Sequence, residues 1–131
     1  MRLRSLIEGV ETPVCDISFG DSYTSGSELI EKEVSLHHPF IQYLHSKQIY
    51  TEGLCIVDTH MNFADKVRDL ISVTGECIMI GFFFKGKALA TIDCLECQRE
   101  KHNNLHYIRY NPTFDGVFEM PPFVDFNYYV I

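Results

Sequence analysis

Basic residues are scarce in this sequence, and tryptophan is missing from it. Eleven Lys and Arg stand against 18 Asp and Glu in 131 residues, which gives a formal net charge of −7. Affinity for nucleic acid depends on Lys and Arg that neutralise phosphates, so this balance argues against direct contact with DNA or RNA. It disfavours anionic membrane surfaces for the same reason. No apolar run approaches the roughly 20 residues that a membrane-spanning helix needs.

The pattern of a secretory leader is also missing. Arg2 and Arg4 are basic, but Glu8 interrupts the sequence before an apolar stretch can form. The cysteines are odd in number, in a chain large enough to fold without disulfides. They are Cys15, Cys55, Cys77, Cys94 and Cys97. We therefore expect reduced thiols and a cytoplasmic protein.

The usual signatures of catalysis are not found. No His-x-His pair is present to offer two ligands to one metal ion from the same strand face, and the adjacent His37 and His38 would point to opposite faces of a strand. A G-x-S-x-G nucleophile motif and a glycine-rich phosphate loop are missing too. We expect a protein that binds rather than catalyses and that needs no cofactor.

Runs of strand length dominate the second half of the chain. The whole chain has ten Phe and seven Tyr, which are strand formers, and most of them lie in this half. Glu76 to Phe84 is an apolar run, and the Lys85-Gly86-Lys87 turn predicts a hairpin with Ala88 to Ile92. Leu105 to Tyr110 predicts a further strand. The remaining elements are a turn over 111–116, a return strand from Val117 to Met120 and a final strand from Phe123 to Ile131.

The first half carries weaker signals. Val14 to Phe19 and Gly53 to Val57 read as short strands, and Glu28 to Leu36 fits either a helix or a strand. Asn62 to Ser72 has apolar residues at helical spacing, although a strand is the reading that we adopt for it. Strands spaced about ten residues apart with turn residues between them predict an all-β barrel or sandwich. The chain length favours a single domain over residues 1–131.

Two cysteines and two histidines form the most concentrated set of metal-ligand residue types. Cys94, Cys97, His102 and His106 lie within a short span, and four such ligands could hold a tetrahedral zinc ion. The span lacks the glycines that let a zinc knuckle wrap its metal. A polar connection with incidental thiols and imidazoles is the favoured interpretation, so no metal site is predicted.

Two strands suggest candidate ligand-binding residues. Tyr107 and Arg109 share one face of their strand, and a pocket could use them to bind a carboxylate or a hydroxyl group. Solvent exposure of Arg109 is the simpler alternative. Ile78, Ile80, Phe82 and Phe84 also share a face, which favours packing in the core. Phe82 and Phe84 are the candidates from this face if it lines a pocket instead.

Several segments of the chain resemble a known regulatory domain. The resemblance is to the N-terminal sensing domain of AraC-type transcriptional regulators, in which similar segments follow one another in the same order. The segments in this chain are Ile78 to Gly86, His102 to Tyr107 with Tyr110-Asn111-Pro112, and Phe114 to Glu119. Its opening strands are matched less tightly by Glu31-Lys32-Glu33 with His38-Pro39-Phe40, and by Glu52 to Ile56. The resemblance extends over residues 28–131.

This resemblance implies a cupin-like, jelly-roll antiparallel β-barrel that binds a small-molecule effector or forms a homodimer. In that family the barrel passes its signal to a C-terminal pair of helix-turn-helix motifs, which this chain does not contain. We expect DNA contact to belong to that missing part. The alternatives are a stand-alone cupin-fold metal enzyme, a zinc-binding module built from Cys94, Cys97, His102 and His106, and a structural dimerisation barrel whose interior is packed solid.

Overall fold

A computed structural model describes residues 1–18, 20, 25–92, 99–101 and 103–131. Within these residues the chain forms ten strands and no helix, so none of the described segments is a helix that could cross a membrane. The strands are β1 (Arg2–Ile7), β2 (Cys15–Ser18), β3 (Ile30–Ser35), β4 (Ile41–Thr51), β5 (Leu54–Phe63), β6 (Val67–Lys85), β7 (Ala88–Ile92), β8 (Arg99–Lys101), β9 (Leu105–Met120) and β10 (Phe126–Val130). The all-β prediction is confirmed.

The long strand β6 organises the antiparallel sheet. The strand order is β3-β4-β5-β10-β6-β9-β7-β8. The first half of β6 pairs with β1, which in turn pairs with β2, and its second half pairs with β10. Along its other edge β6 pairs with β9 from Val67 to Phe83. A single strand therefore pairs with three others, β1, β9 and β10.

The sheet curls into a nearly closed barrel because β2 packs against β4 and β5. Cys15 and Ile17 of β2 are buried against Val57 of β5. The Gln48 side chain of β4 donates a hydrogen bond of 2.6 Å to the carbonyl oxygen of Val14, just before β2. These contacts join strands that are far apart in the sheet order, which is how a twisted sheet closes on itself.

The interior of the barrel is rich in aromatic side chains. Phe83 lies at its centre, with ring centroids of Tyr107, Phe118, Phe126 and Tyr128 at 5.5 to 6.1 Å. Such tilted, edge-on and stacked arrangements add about 0.5–1.5 kcal/mol per pair beyond the area that the rings bury. Phe82 and Phe84 flank Phe83 in sequence and point to the other face of β6, because side chains alternate along a strand.

Two turns predicted from the sequence are wrong. Lys85-Gly86-Lys87 does not form a hairpin, since β7 pairs with β9 and β8. Gly86 has a φ of +118°, and a side chain there would collide with Phe126, so the residue forms a corner that directs the chain away from β6. The turn predicted over 111–116 is wrong as well, because β9 continues unbroken from Leu105 to Met120.

The ambiguous segments of the first half form strands. Glu28 to Leu36 contains β3. The strand interpretation of Asn62 to Ser72 is confirmed, apart from a break between Phe63 and Val67, where β5 ends and β6 begins. Strand β1 had not been predicted. Its inward residues alternate as Leu3, Ser5 and Ile7, and the polar Ser5 in that row obscures the apolar pattern.

Candidate functional site

The barrel encloses a cavity of about 360 Å³. This volume lies in the range of small-molecule pockets, about 300–1,000 Å³. Its wall is mainly aromatic and aliphatic, with a few polar side chains. The lining residues are Leu3, Ser5, Cys15, Val57, Asp69, Ile71, Met79, Phe83, Ala90, Ile92, Tyr107, Ile108, Arg109, Phe114, Phe118, Met120, Phe126, Tyr128 and Val130.

Asp69 is the acidic residue of this wall. Its side chain is almost completely buried, and its Oδ1 accepts a hydrogen bond of 2.8 Å from the Ser5 hydroxyl. Burial raises the pKa of Asp69 to about 6, against the lowering effect of hydrogen bonds from Ser5 and from the Leu6 backbone. Ionisation of Asp69 therefore places a negative charge inside the barrel.

Tyr128 places a second polar group beside Asp69. Burial and then the Asp69 charge raise the pKa of Tyr128, while hydrogen bonding with Thr59 and Ser5 opposes that rise. The phenol therefore remains protonated and can donate or accept a hydrogen bond. Asp69, Ser5 and Tyr128 come from β6, β1 and β10 and form one polar corner of the cavity, which we call the Asp69 corner.

Buried polar side chains continue behind the Asp69 corner. Ser46 and Thr59 lie 3.0 Å apart through their hydroxyl oxygens, and Gln48 Nε2 donates to Ser46 Oγ over 3.3 Å. All three side chains are fully buried. Thr59 in turn is hydrogen-bonded to Tyr128, so this row helps to orient the Tyr128 hydroxyl at the cavity wall.

Arg109 belongs to a different part of the same wall. It pairs with Met79 in the ladder between β6 and β9, whereas Asp69 pairs with Phe118. The guanidinium carbon lies 4.5 Å from the centroid of the Phe114 ring. Its charge lowers the pKa values of Tyr107 and Cys77, although burial is the larger effect on both and raises the pKa of Tyr107 to about 12. Positive and negative groups thus occupy separate regions of the cavity.

The structure divides the ligand-binding candidates that were predicted from the sequence. Tyr107 and Arg109 line the cavity. Phe82 and Phe84 do not, since they lie on the outer face of β6, where their rings stack and Phe84 is 52% exposed. The prediction that the face shared by Ile78, Ile80, Phe82 and Phe84 packs in the core is wrong, because Ile78 on this face is 68% exposed. Phe83 is the side chain of this run that enters the barrel.

The predicted alternative of a zinc site falls mostly outside the described residues, which leave out Cys94, Cys97 and His102. His106 is exposed and lies opposite Phe82 on the outer face of the barrel. Within the part of the chain that the structure describes, no group of three or more His, Cys, Asp or Glu side chains could hold a metal ion.

The Asp69 corner had not been predicted from the sequence. One signal could have pointed to it: Val67, Asp69, Ile71 and Val73 alternate along one strand face, and a carboxylate among three apolar residues is conspicuous. The helical spacing of Phe63, Val67 and Ile71 obscured this alternation. Ser5 and Tyr128 come from distant strands, and no local pattern relates them to Asp69.

Comparison with known proteins supports the fold alone. No family model matches the chain, and no curated protein matches it. A domain of a protein of unknown function from Vibrio parahaemolyticus has a similar solved structure, with a TM-score of 0.51 and 9% sequence identity. The match covers 77% of this chain and 96% of that one. The described barrel is therefore an architecture that also occurs in a solved structure.

Proposed function

We propose that this protein binds a small, mainly apolar molecule inside the barrel. The cavity of about 360 Å³ carries the proposal, because a purely structural barrel of this size would fill its interior with side chains. Aromatic walls with a few oriented polar groups are typical of ligand pockets. Bound ligand would contact rigid strands, so its presence would alter the stability of the whole barrel.

The biological role that we propose is that of an effector-sensing domain of an AraC-type transcriptional regulator, with a cupin-like arrangement of its barrel. The resemblance of the strand segments from Ile78 onward supports this role, and so does the net charge of −7, which suits a domain that senses rather than contacts DNA. In a gel-shift experiment, the chain alone should then bind no DNA sequence specifically. Specific DNA binding by this chain would contradict the proposal that it senses an effector and does not itself contact DNA.

Indole is a suitable first probe for the cavity, since the chain has no Trp and indole can be excited selectively at wavelengths where its Tyr residues do not absorb. We expect its emission to shift to shorter wavelength when it enters the apolar interior. Ala90→Leu should abolish the shift, because Ala90 is 1% exposed and lines the cavity. Thr91→Leu adds bulk at the adjacent position of β7, outside the cavity lining, and is the matched control. Equal indole binding by both variants would rule out the cavity as the site.

A second function, homodimer formation, is favoured by the outer face of β6, β9 and β10. Ile78 is 68% exposed, and its partner across the ladder, Tyr110, is 63% exposed. With Ile80, Phe82, Phe84, Ile108 and Tyr129 they form a surface that we call the outer apolar face, in which Phe82 lies opposite His106 of β9 and Tyr129 lies opposite Asp58 of β5. A second copy of this chain could pair there through apolar contacts, because exposed hydrophobic side chains gathered on one face are typical of protein–protein interfaces.

Light scattering after size exclusion tests the dimer. We expect Ile78→Glu to convert a dimer into a monomer, because it places a charge at the most exposed β6 residue of the outer apolar face. Ile30→Glu makes the same change at an exposed apolar residue of β3, which lies away from that face, and should leave the dimer intact. A monomeric wild-type protein at high concentration would exclude this function.

A further inference from the structure

The Asp69 corner holds a negative charge that the protein itself does not balance. Asp69 is 1% exposed, and among the described residues no Lys, Arg or His contributes to the electrostatics of its carboxyl group. Its hydrogen-bond donors are neutral, namely the Ser5 hydroxyl and the Leu6 backbone. A buried carboxylate without a counter-ion is unfavourable, and a cation in contact with it would remove much of that cost.

The walls next to this corner suit a cation with an apolar body. Phe83, Phe126 and Tyr128 contact one another there, and Phe118 pairs directly with Asp69 across the ladder. Aromatic faces attract cations through their quadrupoles, more strongly when water is excluded. The negative net charge of the chain raises the local concentration of cations rather than anions.

We propose that the molecule bound in this cavity carries a protonated amine, which forms an ion pair with the Asp69 carboxylate while its apolar part packs among the aromatic side chains. This inference rests on the proposed function, since it names the chemical class of the ligand for the same cavity. The Ser5 and Tyr128 oxygens are positioned to accept further N–H bonds from the amine.

Arg109 lines the same cavity and favours a different class of ligand, one that carries a negative charge. A ligand with a carboxylate would be attracted by the Arg109 guanidinium and repelled by the Asp69 carboxylate. It would therefore bind in the opposite orientation or not at all. A neutral ligand would show no preference for either charge. The chemical class can therefore be decided by probes that share one carbon skeleton and differ in a single functional group.

Calorimetric titration with 4-phenylbutylamine, 4-phenylbutanol and 4-phenylbutanoic acid makes this comparison. Phosphate buffer is required, because Tris is itself an amine. We expect the amine to bind about tenfold more tightly than the alcohol, which is the gain from a charge-assisted over a neutral hydrogen bond. The acid should bind least tightly. Equal affinity of the amine and the alcohol, or a preference for the acid, would overturn the inference.

Asp69→Asn is the variant that isolates the carboxylate, since it removes the charge with little change of shape. It should bring the amine and the alcohol to nearly equal affinity while leaving alcohol binding in place. Asp58→Asn removes the same charge from an exposed position on β5, where Asp58 pairs with His60, and should retain the preference for the amine. If Asp58→Asn lost that preference too, net charge rather than the Asp69 corner would be responsible.

The wild-type protein offers a test that needs no variant. Asp69 has a pKa of about 6, and the titratable side chains that its charge influences are Cys15 of β2 and Tyr128 of β10, both with raised pKa values. Neither of these ionises between pH 5 and 8. Amine affinity should therefore fall about tenfold from pH 8 to pH 5 as Asp69 gains its proton, while alcohol affinity stays constant.

The outcomes separate this inference from the proposed function. If no probe binds the wild-type protein and indole does not bind either, the binding function itself is contradicted. If the alcohol binds as well as the amine and both are independent of pH, the cavity is a binding site and the amine is not its ligand. If Asp69→Asn fails to fold, the pH dependence of the wild-type protein decides.

Discussion

The ring of Tyr107 occupies the space that a side chain at position 81 would need. Gly81 and Tyr107 face each other across the ladder between β6 and β9, and a Cβ atom at Gly81 would overlap the Tyr107 ring and hydroxyl. The hydroxyl of Tyr107 donates to the Met79 sulfur over 3.5 Å. This pair shapes the cavity wall, because the missing side chain lets the ring lie flat against β6 instead of filling the interior.

Gly81→Ala should displace the Tyr107 ring and destabilise the barrel. Overpacking of this kind costs about 1–3 kcal/mol in the free energy of unfolding, which urea denaturation measures. Gly116→Ala is the matched control, since its new methyl group would meet its nearest neighbours at ordinary contact distance, 3.6 Å. In a Tyr107→Ser background the cost of Gly81→Ala should largely disappear. A cost that persists there would show that the ring is not the obstacle.

The buried carboxyl of Asp69 should make the barrel less stable as the pH rises. Its pKa is raised from 3.8 to about 6 by folding, so between these values only the folded state holds the proton. Below that window the group is protonated in both states, and above it the folded state carries the buried charge. The free energy of unfolding should therefore fall from about pH 4 to pH 7 by about 2 kcal/mol through this group.

Asp69→Asn should abolish this contribution, so that the variant matches the wild-type protein near pH 4 and exceeds its stability at pH 7. Urea denaturation at both pH values measures the difference, and the difference between the two proteins removes the effect of all other titrating groups. A difference that is the same at both pH values would show that Asp69 has a normal pKa.

The four ligand-binding candidates from the sequence should separate into two pairs when tested. Tyr107→Phe and Arg109→Gln alter the cavity wall, so each should change the affinity of cavity ligands, with Arg109→Gln weakening 4-phenylbutanoic acid most. Phe82→Ser and Phe84→Ser alter the outer face of β6 and should leave those affinities unchanged. Calorimetric titration provides the measurement. Loss of ligand binding in Phe84→Ser without loss of fold would place the site on the outer face.

Asp125 lies in the connection between β9 and β10, and we expect its hydrogen bonds to fasten this connection to β4, β5 and β6. Its carboxylate accepts hydrogen bonds from Tyr43 at 2.9 Å, Asn62 at 2.8 Å and Lys85 at 2.6 Å. Lys85 first, and then Asn62 and Tyr43, hold the pKa of Asp125 well below its usual range. Asp125→Ala should therefore speed amide hydrogen exchange at the start of β10, which mass spectrometry detects. Asp58→Ala, which breaks the exposed pair with His60, should not have this effect.

Local sequence patterns were sufficient to place many strands. The apolar runs at Glu76 to Phe84 and Ala88 to Ile92 are strands because β-branched and aromatic residues favour a pleated, half-buried surface. The pairing of these strands was not predictable, since β7 lies beside β9, which is distant in sequence. Turn residues at 111–116 were misleading because the ladder with β6 keeps that stretch extended.

The cavity wall was only partly predictable from the sequence. Tyr107 and Arg109 were identified because a charged residue in an aromatic strand is conspicuous. Three consecutive Phe residues carry no alternation, so the sequence could not show that Phe83 points inward and its neighbours outward. Asp69 was missed because its role depends on Ser5 and Tyr128, which only the closure of the barrel brings to it.

The sequence by itself determined the all-β class and the net charge of −7, because strand propensity and net charge are properties of composition and short segments. Only the tertiary structure decided which face of β6 is interior and how deeply Asp69 is buried. Strand pairing is non-local, and a shift of one residue in register would exchange every inward side chain for its outward neighbour.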